Sequence, residues 1–422
     1  MSVQMTVQQN ELQQHRTMYD VMSTRARRLP TSILFLIADT GAGHRSAATA
    51  IAKALRIVYE QARASGQPVP DVEIHIIDAF TECAQFPLRT SVALYGPVVR
   101  HNPRLYGQLF HITNSAKRFD ATKRLCQPFL LQGLRALIER IRPDVIVSVH
   151  PLLNHITLQA MADVNLSVPL ITVVTDLVSA HAAWFARGVA ACVVPTLATK
   201  HLALAHGLPT GHIHVLGMPV DPSFAARTAA TTAERRRALG LDADCAVVLL
   251  VGGGEGACGL AEAVQELTRR RIRAQLVVVA GRNRQLYAQM EQLRRCTNTP
   301  TGVALFGFVQ NMPDLMRAAD VIVTKAGPGA ISEAVACELP IVLTGALPGQ
   351  EKGNIDFVLQ NGLGVLAPTP ESVTHHLTAL LDTPGWQLDQ MRARARAISR
   401  PRATFDVARL IASSAPQASL RL

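Results

Sequence analysis

The residues best suited to chemistry lie in two nearby runs, Thr324-Lys325-Ala326-Gly327-Pro328-Gly329-Ala330-Ile331-Ser332-Glu333 and Pro348-Gly349-Gln350-Glu351-Lys352-Gly353-Asn354. The apolar run Val321-Ile322-Val323 reads as a buried strand, and Ile331 to Leu339 has helical spacing with Glu333 in its first turn. Gly327 and Gly329 carry no side chain to keep a ligand away from their backbone N–H groups, and the helix start that follows favours an anion such as a diphosphate. A carboxylate one turn into that helix can accept hydrogen bonds from both hydroxyls of a ribose. With Gln350 and Glu351 nearby, the segment has the groups that a nucleotide sugar requires.

A second candidate follows an earlier strand. Asp39-Thr40-Gly41-Ala42-Gly43-His44-Arg45-Ser46-Ala47-Ala48 leads into an alanine-rich helix expected to begin around Arg45, so His44 is presented at a helix N-terminus. There the dipole and the free N–H groups favour a neutral imidazole, able to take a proton or to contact phosphate; a structural cap is the plain alternative. The turn lacks the G-K-[ST] ending of a phosphate loop. Gly252-Gly253-Gly254-Glu255-Gly256 repeats the same context after another strand. Gly281-Arg282-Asn283 could meet a base or phosphate, or Asn283 could simply cap a helix. Gly307-Phe308-Val309 could present backbone groups to a uracil ring, with Phe308 as core the equal alternative. Ser148-Val149-His150-Pro151 and Thr175-Asp176-Leu177, with His155, His181 and Trp184, fall at further strand ends. Asp176 there could orient a base or accept a hydrogen bond from an incoming hydroxyl. No H-E-x-x-H pattern and no G-x-S-x-G elbow is present, which disfavours a metalloprotease and a serine hydrolase.

The elements that must position these residues alternate between short β-type runs and helix-length segments, the pattern of parallel sheets covered on both faces. Six strands are expected in a first series: Ile33 to Ala38, Val72 to Asp78, Asp144 to Val149, Pro169 to Thr175, Ala191 to Pro195 and His212 to Leu216. Six more follow: Ala246 to Val251, Ala274 to Ala280, Val303 to Phe306, Val321 to Thr324, Pro340 to Leu343 and Gly364 to Leu366. Gly217-Met218-Pro219-Val220-Asp221-Pro222 reads as a linker between them. The expected fold is α/β, two doubly wound Rossmann-like domains facing a cleft: a glutamine-rich arm over 1–30, one domain over 31–218, a second over 219–399, and a C-terminal helical segment, 400–422, able to cross back to the first. Ligands of such sheets bind beyond the carboxyl ends of the strands.

With 422 residues, 48% hydrophobic and 17% charged, the chain can bury full cores. Its seven cysteines show no C-x-x-C spacing, so neither a disulfide framework nor a zinc site is indicated. No apolar run approaches the roughly twenty residues that span a bilayer, and the N-terminal arm has no hydrophobic signal region. The net charge of +11 calls for an acidic partner. Between Glu82 and Glu139 the sole acidic residue is Asp120, while Arg89, Arg100, Arg104, Lys117, Arg118, Lys123 and Arg124 interleave with Phe86, Leu88, Leu94, Tyr95, Leu105, Tyr106, Leu109 and Phe110. That mixture favours an anionic membrane surface, against the solvated face of ordinary helices. Nucleic acid is disfavoured, since no nucleic-acid-binding motif accompanies the charge.

Taken together, these motifs resemble the monogalactosyldiacylglycerol synthase family, within the wider group of diacylglycerol glucosyltransferases and the peptidoglycan GlcNAc transferase. The resemblance runs from about Ile33 to Leu366 and is most specific over Gly307 to Asn354; it departs from the plant pattern at Ala42 and Ala47. It implies a GT-B fold, a UDP-sugar held by the C-terminal domain and an acceptor lipid held by the N-terminal one. It further implies Glu333 as the ribose contact, Gln350 and Glu351 as contacts to sugar hydroxyls, and His44 as the cleft histidine, with Asp176 assisting on the acceptor side. Gly43, Gly253, Gly254, Glu255, Gly281, Arg282, Phe308, Val309, Lys325, Gly327, Gly329, Ala330 and Asn354 complete the expected donor site. Phe86-Pro87-Leu88 falls where the family's lipid-contacting region begins, which strengthens the membrane reading of Tyr95, Arg100, Arg104, Lys117 and Arg118. The implied reaction is inverting transfer of galactose from UDP-galactose to 1,2-diacylglycerol at the cytoplasmic face of the cell membrane, with no obligatory metal or other cofactor. The alternatives are transfer from UDP-glucose, a polyprenyl-linked peptidoglycan acceptor, and a non-catalytic UDP-sugar or anionic-lipid binding protein.

Overall fold

A computed structural model describes residues 30–40, 43–114, 116–226, 229–252, 259–296, 302–382 and 385–415. Within them lie two six-stranded parallel sheets. The first runs β2-β1-β3-β4-β5-β6, with β1 Thr31–Ile37, β2 Val72–Asp78, β3 Val145–Ser148, β4 Leu170–Val173, β5 Ala191–Val194 and β6 Ile213–Val215. The second runs β12-β11-β10-β7-β8-β9, with β7 Val247–Val251, β8 Gln275–Val279, β9 Val303–Phe306, β10 Val321–Thr324, β11 Ile341–Leu343 and β12 Gly364–Leu366. Each expected strand is present: β1 starts two residues earlier, β2, β9, β10 and β12 have the expected bounds, and the others are shorter by one or two residues at one end or both. Both sheets are doubly wound and together make the GT-B fold.

Strand β1 shows why a near-continuous apolar run is needed. Ile33, Phe35 and Ile37 face one layer of helices while Leu34 and Leu36 face the other, and all five are fully buried. The helices that position the site are α1 (Gly43–Ala64), α2 (Leu88–His101), α3 (Pro103–Thr113), α4 (Ala116–Ile141), α5 (Pro328–Ala336), α6 (Lys352–Gln360) and α7 (Ala403–Ser414). Helix α1 begins at Gly43, two residues ahead of the sequence expectation. Leu130, Leu134, Leu137 and Ile138 of α4 cover one face of the first sheet. Pro103 lacks the N–H that α2 would need to continue, and the Asn102 side chain accepts from the Leu105 N–H to start α3.

Helix α7 follows the second domain in sequence but packs Val407, Ala408, Ile411 and Ala412 with α1 in the core of the first sheet. Burying each large aliphatic side chain there contributes about 1.5–3 kcal/mol. Thr404 fastens this crossing to the linker, its hydroxyl accepting from the Val220 N–H and donating to the Val220 carbonyl. Gly217, at φ +101°, passes so close to Ala403 that a Cβ would lie 2.9 Å from the alanine methyl. Lys53 of α1 pairs with Asp221 at 2.9 Å on the same linker.

Candidate functional site

In the first sheet the strand order reverses between β1 and β3, and the crevice beyond such a switch point is where doubly wound folds bind ligands. His44 stands there, on the first turn of α1. Its Nδ1 lies 3.1 Å from Thr175 Oγ1, and a ring nitrogen hydrogen-bonds the Val149 carbonyl beyond β3. The ring meets His150 edge to face at 4.9 Å, and His150 meets Phe80 in the same way at 5.2 Å. Burial pushes the His44 imidazole down to about 4, against the opposing pull of the Val149 carbonyl and Asp39. At neutral pH it is therefore uncharged, with one nitrogen able to accept a proton. The His150 imidazole is held well below its ordinary value by burial first and then by His44 and His181, and its buried Nδ1 has no hydrogen-bond partner among the described residues.

Asp176, beyond β4, is buried and fully engaged. Its Oδ2 accepts from Trp184 Nε1 at 2.6 Å and its Oδ1 from Gln350 Nε2 at 2.8 Å. Burial raises its pKa, opposed by the Gln350 and Trp184 hydrogen bonds and by the His181 backbone N–H. This carboxylate thus holds the loop that carries Gln350 rather than standing open for an incoming hydroxyl. Gln350 in turn accepts from the Tyr106 hydroxyl of α3 at 2.5 Å.

The second sheet reverses its order between β7 and β10. Gly327 caps α5 after β10, and a Cβ built on Gly329 would meet nothing within 4 Å, so the approach to the helix N-terminus is open. Ala330 is half-buried in the same turn. Glu333, one turn in, has no hydrogen-bond partner among the described residues, and burial followed by the charge of Asp221 pushes its carboxyl up to about 7. Glu351 is used internally: Oε1 holds Lys325 Nζ at 2.7 Å and Oε2 accepts from the Leu347 N–H at 2.8 Å. Asn354 Nδ2 donates to the Ala326 carbonyl, while its Oδ1 and Thr324 Oγ1 are buried without partners among the described residues. Gly253, Gly254 and Glu255 lie outside the described residues.

Beyond β8 and β9, Gly281, Arg282, Asn283, Arg284, Tyr287 and Gly307 line a cavity of about 490 Å³. Phe308 is 62% exposed, not core, and lies under the Arg282 guanidinium at 4.8 Å; Val309 is half-buried and packs into the domain core. Asn283 accepts from the Leu286 N–H, as a helix cap does. Tyr106, Arg284 and Tyr287 were not picked out from sequence as site residues. A polar aromatic four residues after Asn283 gives a faint helical-spacing signal for Tyr287, and nothing local marks the others.

In the first domain, Phe86, Leu94, Leu105, Leu109, Ile112 and Leu125 are exposed on or beside α2, α3 and α4, as are Pro87, Arg104 and Arg118, while Leu88 is half-buried. The side chains of Tyr95, Arg100 and Lys117 lie outside the described residues. Among the described residues no helix is long and apolar enough to cross a membrane.

A family model described as monogalactosyldiacylglycerol (MGDG) synthase matches residues 44–220, and one described as glycosyltransferase family 28 C-terminal domain matches residues 247–351. The chain is 35% identical over 385 residues to a probable monogalactosyldiacylglycerol synthase 2, chloroplastic, of Oryza sativa subsp. indica, covering 89% of this chain and 79% of the relative. It is 34% identical over 391 residues to monogalactosyldiacylglycerol synthase 3, chloroplastic, of Arabidopsis thaliana, covering 90% and 81%. In fold it is similar to MurG of Acinetobacter baumannii, with a TM-score of 0.54 at 14% identity over 90% of this chain and 99% of that one.

Proposed function

The chain belongs to the monogalactosyldiacylglycerol synthase family, and from that premise we propose that it moves galactose from UDP-galactose to the free hydroxyl of 1,2-diacylglycerol with inversion. The observation that carries this reading is the contact across the cleft: Gln350 of the donor-side loop hydrogen-bonds Asp176, which stands beyond the same sheet edge as His44. A hexose held by Gln350 then faces the histidine crevice.

The chemistry follows from that juxtaposition. The α5 N-terminus and the open backbone around Gly327 and Gly329 take the diphosphate, and Glu333 accepts from the ribose hydroxyls. Gln350 meets the hexose hydroxyls, while Glu351 holds Lys325 and the loop beside them. Gly281, Arg282 and Gly307 border the cavity assigned to the base, with Phe308 under the Arg282 guanidinium beside it. His44, neutral at working pH, takes the acceptor hydroxyl proton as that oxygen bonds to the anomeric carbon. The bond from that carbon to the diphosphate oxygen breaks, and UDP leaves with the electron pair. Alternatively His44 meets the departing diphosphate. Attack opposite the leaving group turns an α-linked donor into a β-glycoside. Helix N-terminal N–H groups can neutralise the diphosphate electrostatically, so no obligatory metal is proposed. The basic, apolar surface of α2 to α4 seats the protein peripherally on an anionic membrane, at the cytoplasmic face of the cell membrane, where diacylglycerol is presented.

The test incubates purified protein with diacylglycerol vesicles containing anionic lipid and either UDP-galactose or UDP-glucose. Galactolipid is the expected product. Glucolipid alone would move the donor to UDP-glucose, and no glycolipid from either sugar would contradict transferase activity.

A further inference from the structure

Gln350 is held from two sides by atoms whose hydrogen-bonding roles are fixed. Asp176 receives the Trp184 indole N–H and the Gln350 amide N–H, so its carboxylate acts only as acceptor. Turning the amide around would set its carbonyl oxygen against that carboxylate. Oε1 of Gln350 must therefore face Tyr106, and the phenol must donate to it. This leaves the amide with one N–H and one lone pair for a ligand, a set that suits two neighbouring hydroxyls, one accepting and one donating.

Helix α3 is built to deliver that phenol. Leu105, Leu109 and Ile112, at i, i+4 and i+7, form its exposed apolar stripe. Tyr106, Phe110 and Thr113 repeat the spacing one residue later and meet the cleft. Phe110 lies against Gly349, where a Cβ would come within 2.8 Å of its ring, and Thr113 Oγ1 lies 3.1 Å from His181 Nε2. Beside Tyr106, Gly107 permits the close approach, since a Cβ there would stand 2.6 Å from Pro348 Cβ.

We propose that Tyr106 is a positioning residue for the donor hexose: its hydroxyl fixes which face of the Gln350 amide the sugar meets, so sugar affinity and sugar choice depend on a side chain of the acceptor-side domain. This rests on Gln350 as the hexose contact proposed above. Tyr106→Phe keeps the ring and removes the hydroxyl. Its expected effect is a five- to tenfold rise in KM for UDP-galactose, a change in kcat of less than threefold, and a fall in the UDP-galactose to UDP-glucose preference. Affinity for UDP alone, which lacks the hexose, stays within twofold of wild type. In a Gln350→Ala background the same substitution changes KM by less than twofold, because the group it positions is gone.

Unchanged KM and sugar preference in Tyr106→Phe would overturn the inference. So would an equal loss of UDP and UDP-galactose binding, which is what a general loosening of the domain contact produces. Wild-type protein that transfers neither hexose would instead overturn the function beneath it, and the wild-type arm separates the two failures.

Discussion

At the residue scale, two half-buried groups titrate in opposite senses, and each sense can be measured. The Glu333 carboxyl, pushed up to about 7 by burial and then by Asp221, is protonated in the free protein below that pH. Only the carboxylate can accept from both ribose hydroxyls. The kcat/KM for donor is thus expected to fall as pH drops through 7, by up to tenfold per unit, and Glu333→Gln is expected to start low and lose that dependence. His44, held down near 4, stays a competent base throughout the same range. His44→Ala should reduce kcat by about 10²–10⁴-fold with little change in UDP affinity, the size of a lost general base. Near-normal turnover in that variant would remove His44 from the mechanism. Both stand out in the chain because each lies near the start of a helix that follows a strand through a glycine-containing turn, His44 in its first turn and Glu333 one turn in. The engagement of Glu351 with Lys325 was not, since a side chain's partner 26 residues away leaves no local pattern.

At the scale of elements, α3 comes close to residues 348–350 because Gly107 and Gly349 carry no side chains at the contact. Gly107→Ala should favour the helix itself, since alanine replaces glycine in a helical position at a gain of about 0.5–1 kcal/mol, yet crowd Pro348. We expect Tm to stay within a few degrees of wild type while donor KM rises; unaltered kinetics would show that the contact is not needed. Neutralising Arg100, Arg104, Lys117 and Arg118 together should weaken sedimentation with anionic vesicles by about 1 kcal/mol per charge at low salt, with the difference shrinking as salt rises. Unchanged sedimentation would return α2 to α4 to an ordinary solvated surface. The basic, apolar composition of this stretch was readable in the chain. Its approach to residues 348–350 was not, because Tyr106 and Gln350 are 244 positions apart and meet only once both sheets are folded.

For the whole molecule, the two sheets were the most legible feature, since strands buried on both faces must be apolar along nearly their whole length, as β7 is throughout and β1 is from Ile33. Acid stability follows from what those sheets bury. His44, His155 and His181 are each pushed down to about 4 by burial, and burial holds His150 well below its ordinary value too. As pH falls from 6.5 towards 4 the unfolded chain takes up protons that the folded chain refuses, so stability should fall across that window by up to about 1.4 kcal/mol per unit for each histidine. Glu333 acts in the opposite sense, its contribution present below 4.5 and lost as pH rises through 7. A urea-midpoint series from pH 8 to 4 that stayed flat would contradict this account. The central claim, galactose transfer with inversion to diacylglycerol, is tested most directly by offering the full chain equal UDP-galactose and UDP-glucose with diacylglycerol in anionic vesicles, then resolving the glycolipid's hexose and anomeric configuration by NMR. A β-linked galactolipid as the dominant product is predicted; an α-linked glycolipid, a glucolipid in excess, or none would contradict it.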